Sequence, residues 1–431
     1  MLAFVLRRGH DPVVVALGPQ KPISEAITLW RKTVAAGQVP ASGRALSDLL
    51  WQPLRPHLKG VVTVIVSPEG PVSGLPFSAL PGDSGKPESV LLDEYVFGYA
   101  TSVQQWLRRT SRPKQNSGGG ALVVGLVNYG PVRPGLERMA FTPLQAHGAK
   151  EHLEALVEGF RRSSPAAPRP KFLKGEEASV DNIRGAFDPG RGGPRYKYVH
   201  LETHGFWTPF NESNWPRSDK KEAKDAALKL DGLLQSSEFR AGLALDRANE
   251  SSRGVLTGEE LAALDLHGVD LFTLAVCESG VGDVVPNAGS LALQQALQGA
   301  GARTTVSGLW KVPVVETRAL MAEFYKNLWA HGEGQKLVAL RNAQLALRRC
   351  AGPQPMPPIY WAGWVMSGDP GDLSGRNDPV AQQLNEAEEN RQPGAGGRIA
   401  IAATLVLVAI ALMCAAGIWR VRRKRTQRPG V

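Results

Sequence analysis

The sequence predicts an α/β fold: a mostly parallel sheet sandwiched by helices, preceded by a smaller α/β subdomain and followed by one C-terminal transmembrane helix. Three observations predict it. Short β-branched runs alternate with stretches whose apolar residues recur at helical spacing, the pattern of strands joined by crossover helices. Several of those runs are apolar at nearly every position, as strands covered on both faces require. Ile399–Trp419 is an uncharged run long enough to cross a bilayer.

In chain order, Asp11–Leu17 (DPVVVAL) and Val61–Val66 (VVTVIV) are the first predicted strands, with helical spacing over Ile23–Ala35 and Gly43–Leu58 between them. Turn-rich text, SPEGPVSGLPFSALPG, follows, and Ser111–Gly120 (SRPKQNSGGG) has linker composition. These bounds give an amino-terminal α/β half over 1–112 and a main domain over 119–370. The main domain opens with strand Ala121–Val127 and an amphipathic helix over Leu144–Arg162. Tyr196–Leu201 (YKYVHL) is the next strand, ending at Thr203-His204-Gly205. The polar stretch Pro209–Gly254 is expected to be a surface excursion, with Asn211–Gly254 a candidate regulatory loop, itself a cleavage target. Thr257 and Glu260 have capping-box spacing ahead of a helix over Gly258–Leu264. The strongly apolar Val269–Val276 (VDLFTLAV) leads directly into Cys277. Helix Ser290–Gly299, strand Thr304–Trp310 and helices Glu316–Ala330 and Lys336–Arg349 complete the domain. Residues 371–398 form a polar linker, and no internal repeat is found.

Of the 431 residues, 43% are hydrophobic and 21% charged, which excludes a disordered or collagen-like protein. Three cysteines are too few for a disulfide framework and lack metal-ligand spacing. The formal charge of +10 is no nucleic-acid signature, because six of the cations lie in residues 420–431 and leave +4 for the rest. Nucleic acid is not an expected partner of the main body.

As a helix, Ile399–Trp419 would span ~31 Å at ~1.5 Å per residue, matching a hydrocarbon core of roughly 30 Å. Trp419 sits at an interfacial position, Arg398 and Arg420 bracket the run, and residues 420–431 form a basic tail. A lipid membrane is therefore an expected partner through residues 399–419. The cations after the span would keep the tail inside and export the large domain. Against that, the start MLAFVLRRGHDPVVVALG lacks the apolar core of a signal peptide. A thiol chemistry prefers a reducing compartment, so the expectation is a cytoplasmic catalytic domain held by a single-pass C-terminal anchor.

In open parallel sheets, reactive groups gather beyond the carboxyl ends of strands. His204 and Cys277 each end a predicted strand. A thiol of free pKa ~8.5 is only a few per cent thiolate at neutral pH, and a histidine on an adjacent strand end supplies the base it needs. Gly205 lets its amide approach a substrate carbonyl, and that amide with the amide of Cys277 would form an oxyanion hole. The alternative is a buried structural cysteine.

A set of motifs narrows the choice: Val199–Phe206 (VHLETHGF), Leu256–Leu264 (LTGEELAAL), Leu274–Gly280 (LAVCESG), Gly299–Val312 (GAGARTTVSGLWKV), Phe324–Leu328 (FYKNL), Ala339–Leu347 (ALRNAQLAL) and Ile359–Asp369 (IYWAGWVMSGD). With PEGPVSGLPFSAL inside Val64–Leu80, their order and spacing resemble the CHAT-domain family of caspase-like cysteine peptidases, relatives of separase and the caspases. The resemblance implies a caspase-like sheet, His204 as general base and Cys277 as nucleophile. It implies hydrolysis of a protein substrate through a thioester, with no metal and no organic cofactor. It also suggests a regulated bacterial defence or signalling response, leaving room for an activating protein partner. Glu278 is a candidate for binding a cationic substrate group or orienting its loop, and Ser307 and Trp310 stand where caspase-like folds line the first specificity pocket. The chain departs from the family in reading Ala275-Val276-Cys277-Glu278-Ser279-Gly280 for Ser-Ala-Cys-Glu-Thr-Gly, and Asn287-Ala288-Gly289 for Gly-Glu-Gly. Many members carry helical repeats before the domain, and residues 1–431 hold no such repeat.

A competing reading is a catalytically silent caspase-like scaffold that binds a peptide or protein partner at the membrane. A zinc peptidase reading of His200, Glu202 and His204 fails. That motif needs a helix with the Glu directly after the first His, and strand residues four apart lie ~13 Å from each other.

Overall fold

The computed structural model describes residues 1–369 apart from 8, 41, 83–87, 111–118, 133–140, 145–147, 192–195, 208–240, 279–287, 332–334, 351 and 353. The predicted linker 371–398, span 399–419 and tail 420–431, and most of the polar excursion, lie outside the described residues. Among the described residues, no helix is long and apolar enough to cross a membrane.

The strands are β1 (Leu2–Val5), β2 (Val13–Ala16), β3 (Thr63–Val66), β4 (Val96–Tyr99), β5 (Gly120–Val127), β6 (Lys171–Gly175), β7 (Tyr196–Trp207), β8 (Ala241–Ala244), β9 (Val255–Thr257), β10 (Leu271–Glu278), β11 (Thr304–Gly308) and β12 (Trp364–Gly368). The helices are α1 (Gln20–Ala35), α2 (Gly43–Leu50), α3 (Leu91–Glu94), α4 (Val103–Thr110), α5 (Ala149–Ser163), α6 (Val180–Ala186), α7 (Gly258–Ala262), α8 (Ala288–Gly299), α9 (Val314–His331), α10 (Lys336–Arg349) and α11 (Pro358–Trp361). β1 and β2 make an antiparallel hairpin. The rest form one sheet in the order β3-β4-β12-β11-β10-β7-β5-β6, with β8 and β9 continuing from the end of β7. Pairing is parallel except at β11/β12, β7/β8 and β8/β9.

Apolar text without alternation makes these strands central. In β5, Ala121 and Val123 enter one core while Leu122 and Val124 enter the other. The pleat therefore buries both faces, and each Leu or Val so covered contributes about 1.5–3 kcal/mol. The first core is closed by α1, α2, α5, α9 and α10, the second by α6, α7 and α8. Leu153, Leu156 and Phe160 give α5 its buried stripe, and Arg161 and Arg162 in its last turn complement the helix dipole. The capping box at α7 forms as predicted: the Thr257 amide donates to Glu260 Oε2 at 2.9 Å, and the Glu260 amide donates to Thr257 Oγ1 at 3.3 Å.

Three features differ from the sequence expectation. Apart from the β1–β2 hairpin, the strands of the amino-terminal segment join the main sheet, because β12 pairs antiparallel with β11 and parallel with β4. β7 does not end at Thr203-His204-Gly205 but runs to Trp207, because β8 pairs with its last four residues. β8 itself is four buried small and apolar residues (AGLA) inside text expected to be a surface excursion.

Candidate active site

The two predicted catalytic residues are brought together by strand register. β7 and β10 are parallel neighbours with Leu271 level with Tyr198 and, six residues on, Cys277 level with His204. In-register residues of adjacent strands occupy the same position in the pleat, so both belong to one face of the sheet. The side chains of Cys277 and Glu278 lie outside what the structure describes.

His204 is buried and held on two sides. Its Nε2 lies 2.7 Å from the carbonyl oxygen of Thr142. A carbonyl only accepts, so Nε2 carries the proton and the neutral ring keeps its lone pair on Nδ1. Nδ1 is thus the basic atom. The backbone amide of His204 donates to Tyr129 Oη at 3.3 Å, and that hydroxyl in turn lies 2.9 Å from Thr203 Oγ1, which donates to the Ala244 carbonyl. The rings of Tyr129 and Phe141 pack against the imidazole at centroid distances of 5.2 and 5.8 Å.

The Thr142 carbonyl is itself clamped. On one side Asn249 donates from Nδ2 to the carbonyls of Gly130 and Phe141, both at 3.0 Å, and accepts from the Phe141 amide at 2.8 Å. On the other, Arg318 donates to the Leu144 carbonyl at 2.7 Å. Tyr129, Thr142, Asn249 and Arg318 are all absent from the sequence reading. The carbonyl partner is a backbone atom 62 positions from the histidine, and no side-chain identity marks it.

Gly205 fits only as glycine: a Cβ there would sit 2.4 Å from Val276 Cγ1 on the neighbouring strand. Of the other predicted pocket residues, Glu278 is level with Gly205 in the strand register, while Ser307 and Trp310 have partners elsewhere. Ser307 is level with Leu274, whose side chain enters the second core, and it accepts a hydrogen bond from Gln294 of α8. Trp310 packs near Trp30 at 6.4 Å between ring centroids and donates from Nε1 to the Ile359 carbonyl at 2.9 Å.

Beneath His204 on the same strand, two and four residues back, lie Glu202 and His200, and α5 brings His152 against them. Arg318 donates from Nε and Nη2 to Glu202 Oε1 at 3.0 and 2.6 Å. His200 Nδ1 lies 3.1 Å from Tyr325 Oη, whose hydroxyl donates to Thr273 Oγ1 at 2.8 Å. Burial pulls the His200 imidazole down to about 3, with His152 adding to the effect. Burial likewise pulls His152 down to about 4, reinforced by the charge of Arg318. Both rings are therefore neutral at neutral pH. Burial pushes the Glu202 carboxyl up, while the hydrogen bonds and charge of Arg318 draw it back.

The sequence profile of the CHAT domain matches residues 40–369. The chain belongs to the CHAT domain family. Among curated proteins, this CHAT chain is 24% identical over 371 residues to human tetratricopeptide repeat protein 28, a match covering 80% of the chain and 14% of that relative's length. Solved structures that align with the CHAT chain include the Arg-specific cysteine proteinase gingipain R, at 12% identity and TM-score 0.46 over 82% of this chain and 75% of that one. Another is the Saccharomyces cerevisiae separase–securin complex, at 9% identity and TM-score 0.37 over 68% of this chain and 14% of that one.

Proposed function

We propose that this CHAT domain protein is a cysteine endopeptidase acting on a protein substrate, with Cys277 as nucleophile and His204 as general base, held at a membrane by residues 399–419. The observation that carries the reading is the register of Cys277 with His204, combined with the Thr142 carbonyl that fixes the proton on Nε2. A basic Nδ1 on the neighbouring strand draws the thiol proton and gives a thiolate–imidazolium pair. The sulfur then attacks the scissile carbonyl carbon, and the backbone amides of Gly205 and Cys277 are the proposed donors to the resulting oxyanion. As the C–N bond breaks, the imidazolium returns its proton to the departing amine, leaving a thioester. Water, deprotonated by the same ring, hydrolyses the thioester and restores the thiol. No metal ion or organic cofactor is needed in these steps. Glu278, next to the nucleophile in the chain, is the proposed contact for a cationic substrate group. Support for the anchor is the uncharged run itself, with Trp419 and the cations at its ends.

The test uses the full chain and a peptidyl acyloxymethyl ketone, with the adduct located by mass spectrometry. The expected result is modification of Cys277 in the wild type, none in Cys277→Ala, and a strongly reduced rate in His204→Ala. A wild type that stays unmodified at Cys277, while remaining folded and supplied with whatever protein it associates with, would leave the silent scaffold as the reading. Flotation with anionic vesicles, lost on deleting residues 399–431, checks the anchor separately.

A further inference from the structure

Three buried donor atoms behind the histidine have no hydrogen-bond partner among the described residues: His152 Nε2, His200 Nε2 and Glu202 Oε2. One ligand atom from each of these residues lies within 4.8 Å of the others, and His152 Nε2 and Glu202 Oε2 are 4.0 Å apart. Buried polar atoms are almost always paired, so three bare ones facing a common point call for a shared partner.

We propose that His152, His200 and Glu202 form a binding site for one divalent transition metal ion of the zinc type. The far side of two ligands is already held as metal ligands require. Tyr325 Oη donates to Thr273, so it accepts from His200 Nδ1–H, which leaves the Nε2 lone pair facing the cluster. Arg318 occupies Glu202 Oε1 with two hydrogen bonds and leaves Oε2 as the coordinating oxygen. Two imidazoles and one carboxylate select borderline ions over calcium or magnesium, which prefer all-oxygen shells. The guanidinium offsets the carboxylate charge, so the imidazole bonds carry the affinity. An ion ~2.1 Å from each donor requires the donors to close by roughly 1 Å. His152, on α5 with 10% of its side chain exposed, is the ligand placed to swing and the side from which an ion arrives.

This site is independent of the peptidase reading, and its test is arranged to keep the two apart. Full-length Cys277→Ala protein, in which the nucleophile cannot capture metal, is stripped with chelator, dialysed against zinc or cobalt(II), and assayed for bound metal and melting temperature. The expected result is one ion per chain, a raised melting temperature, and visible cobalt bands of a nitrogen–oxygen site. His152→Ala and His200→Gln should lose the ion. Tyr325→Phe preserves the core volume and should weaken binding by about 10–100-fold through loss of the outer-shell bond. If folded, stripped protein takes up no zinc or cobalt, or if Tyr325→Phe and His152→Ala both bind as tightly as their parent, the proposal is overturned and the three atoms share a buried water.

Discussion

Asn249→Ala is the sharpest probe of how the histidine is oriented. The substitution removes three hydrogen bonds, two at 3.0 Å to the Gly130 and Phe141 carbonyls and one at 2.8 Å from the Phe141 amide. At about 0.5–1.5 kcal/mol net each, their loss destabilises the segment carrying Thr142 by about 2–4 kcal/mol. Arg318 still holds that segment at Leu144, so a local shift is expected and not global unfolding. The Thr142 carbonyl then leaves the histidine Nε2, and the cationic ring loses a bond worth about 1.5–3 kcal/mol. By the tenfold-per-1.4 kcal/mol rule, that is roughly a 10–150-fold loss of the thiolate–imidazolium pair. The assay needs no substrate: the rate of Cys277 alkylation by iodoacetamide, followed by mass spectrometry across pH. In the wild type the rate should plateau well below the ordinary thiol pKa, and in Asn249→Ala the plateau should move up towards ~8.5. A folded Asn249→Ala protein with an unchanged rate and an unchanged pH profile would refute the clamp.

Further outcomes follow from the same geometry. Gly205→Ala places a methyl 2.4 Å from Val276 Cγ1, so it should cost about 1–3 kcal/mol in chemical denaturation and abolish labelling of Cys277. A second change, Val276→Ala, should restore part of the stability. Lys336 is a buried ammonium bound to Asp270 at 2.9 Å and to Thr304 at 2.9 Å. Lys336→Met leaves Asp270 with Arg303 as its remaining cation and should lower stability by about 3 kcal/mol in urea titration. Acid should destabilise the chelated protein through the buried imidazoles, which face Glu202, Arg318 and Tyr325. Their folded values, about 4 for His152 and about 3 for His200, lie below the unfolded value of ~6.5. The folded state therefore binds fewer protons, so stability is fully present above pH ~6.5 and is lost as pH falls through 4 towards 3. Melting curves of His152→Gln should show a shallower fall over that window; an identical fall would remove His152 from the account.

The sequence carries the strands whose apolar text leaves no alternative. VDLFTLAV and ALVVGLV supply strands because their residues divide between two buried faces, and it is the β7/β10 register that sets His204 level with Cys277. What stayed hidden has a physical reason in each case. β8 is too short and its residues too small to stand out from the polar text around it. The Thr142 carbonyl acts through backbone, and Asn249 acts on that backbone from more than a hundred positions away, as the 108-residue separation from Phe141 records. His152 has helical spacing with Ala149 and Leu156 at the edge of the buried stripe of α5, and only tertiary packing sets it beside His200.

The seam at β12 has a consequence for how the protein comes into being. Ser367 meets Tyr99 across roughly 270 intervening positions, a contact whose loop closure is slow. During synthesis the edges of β4 and β11 wait unpaired until the chain has been made through residue 368, exposed to pairing with other chains. A ribosome-bound intermediate therefore holds two unjoined half-sheets, and chaperone dependence should centre on that interval.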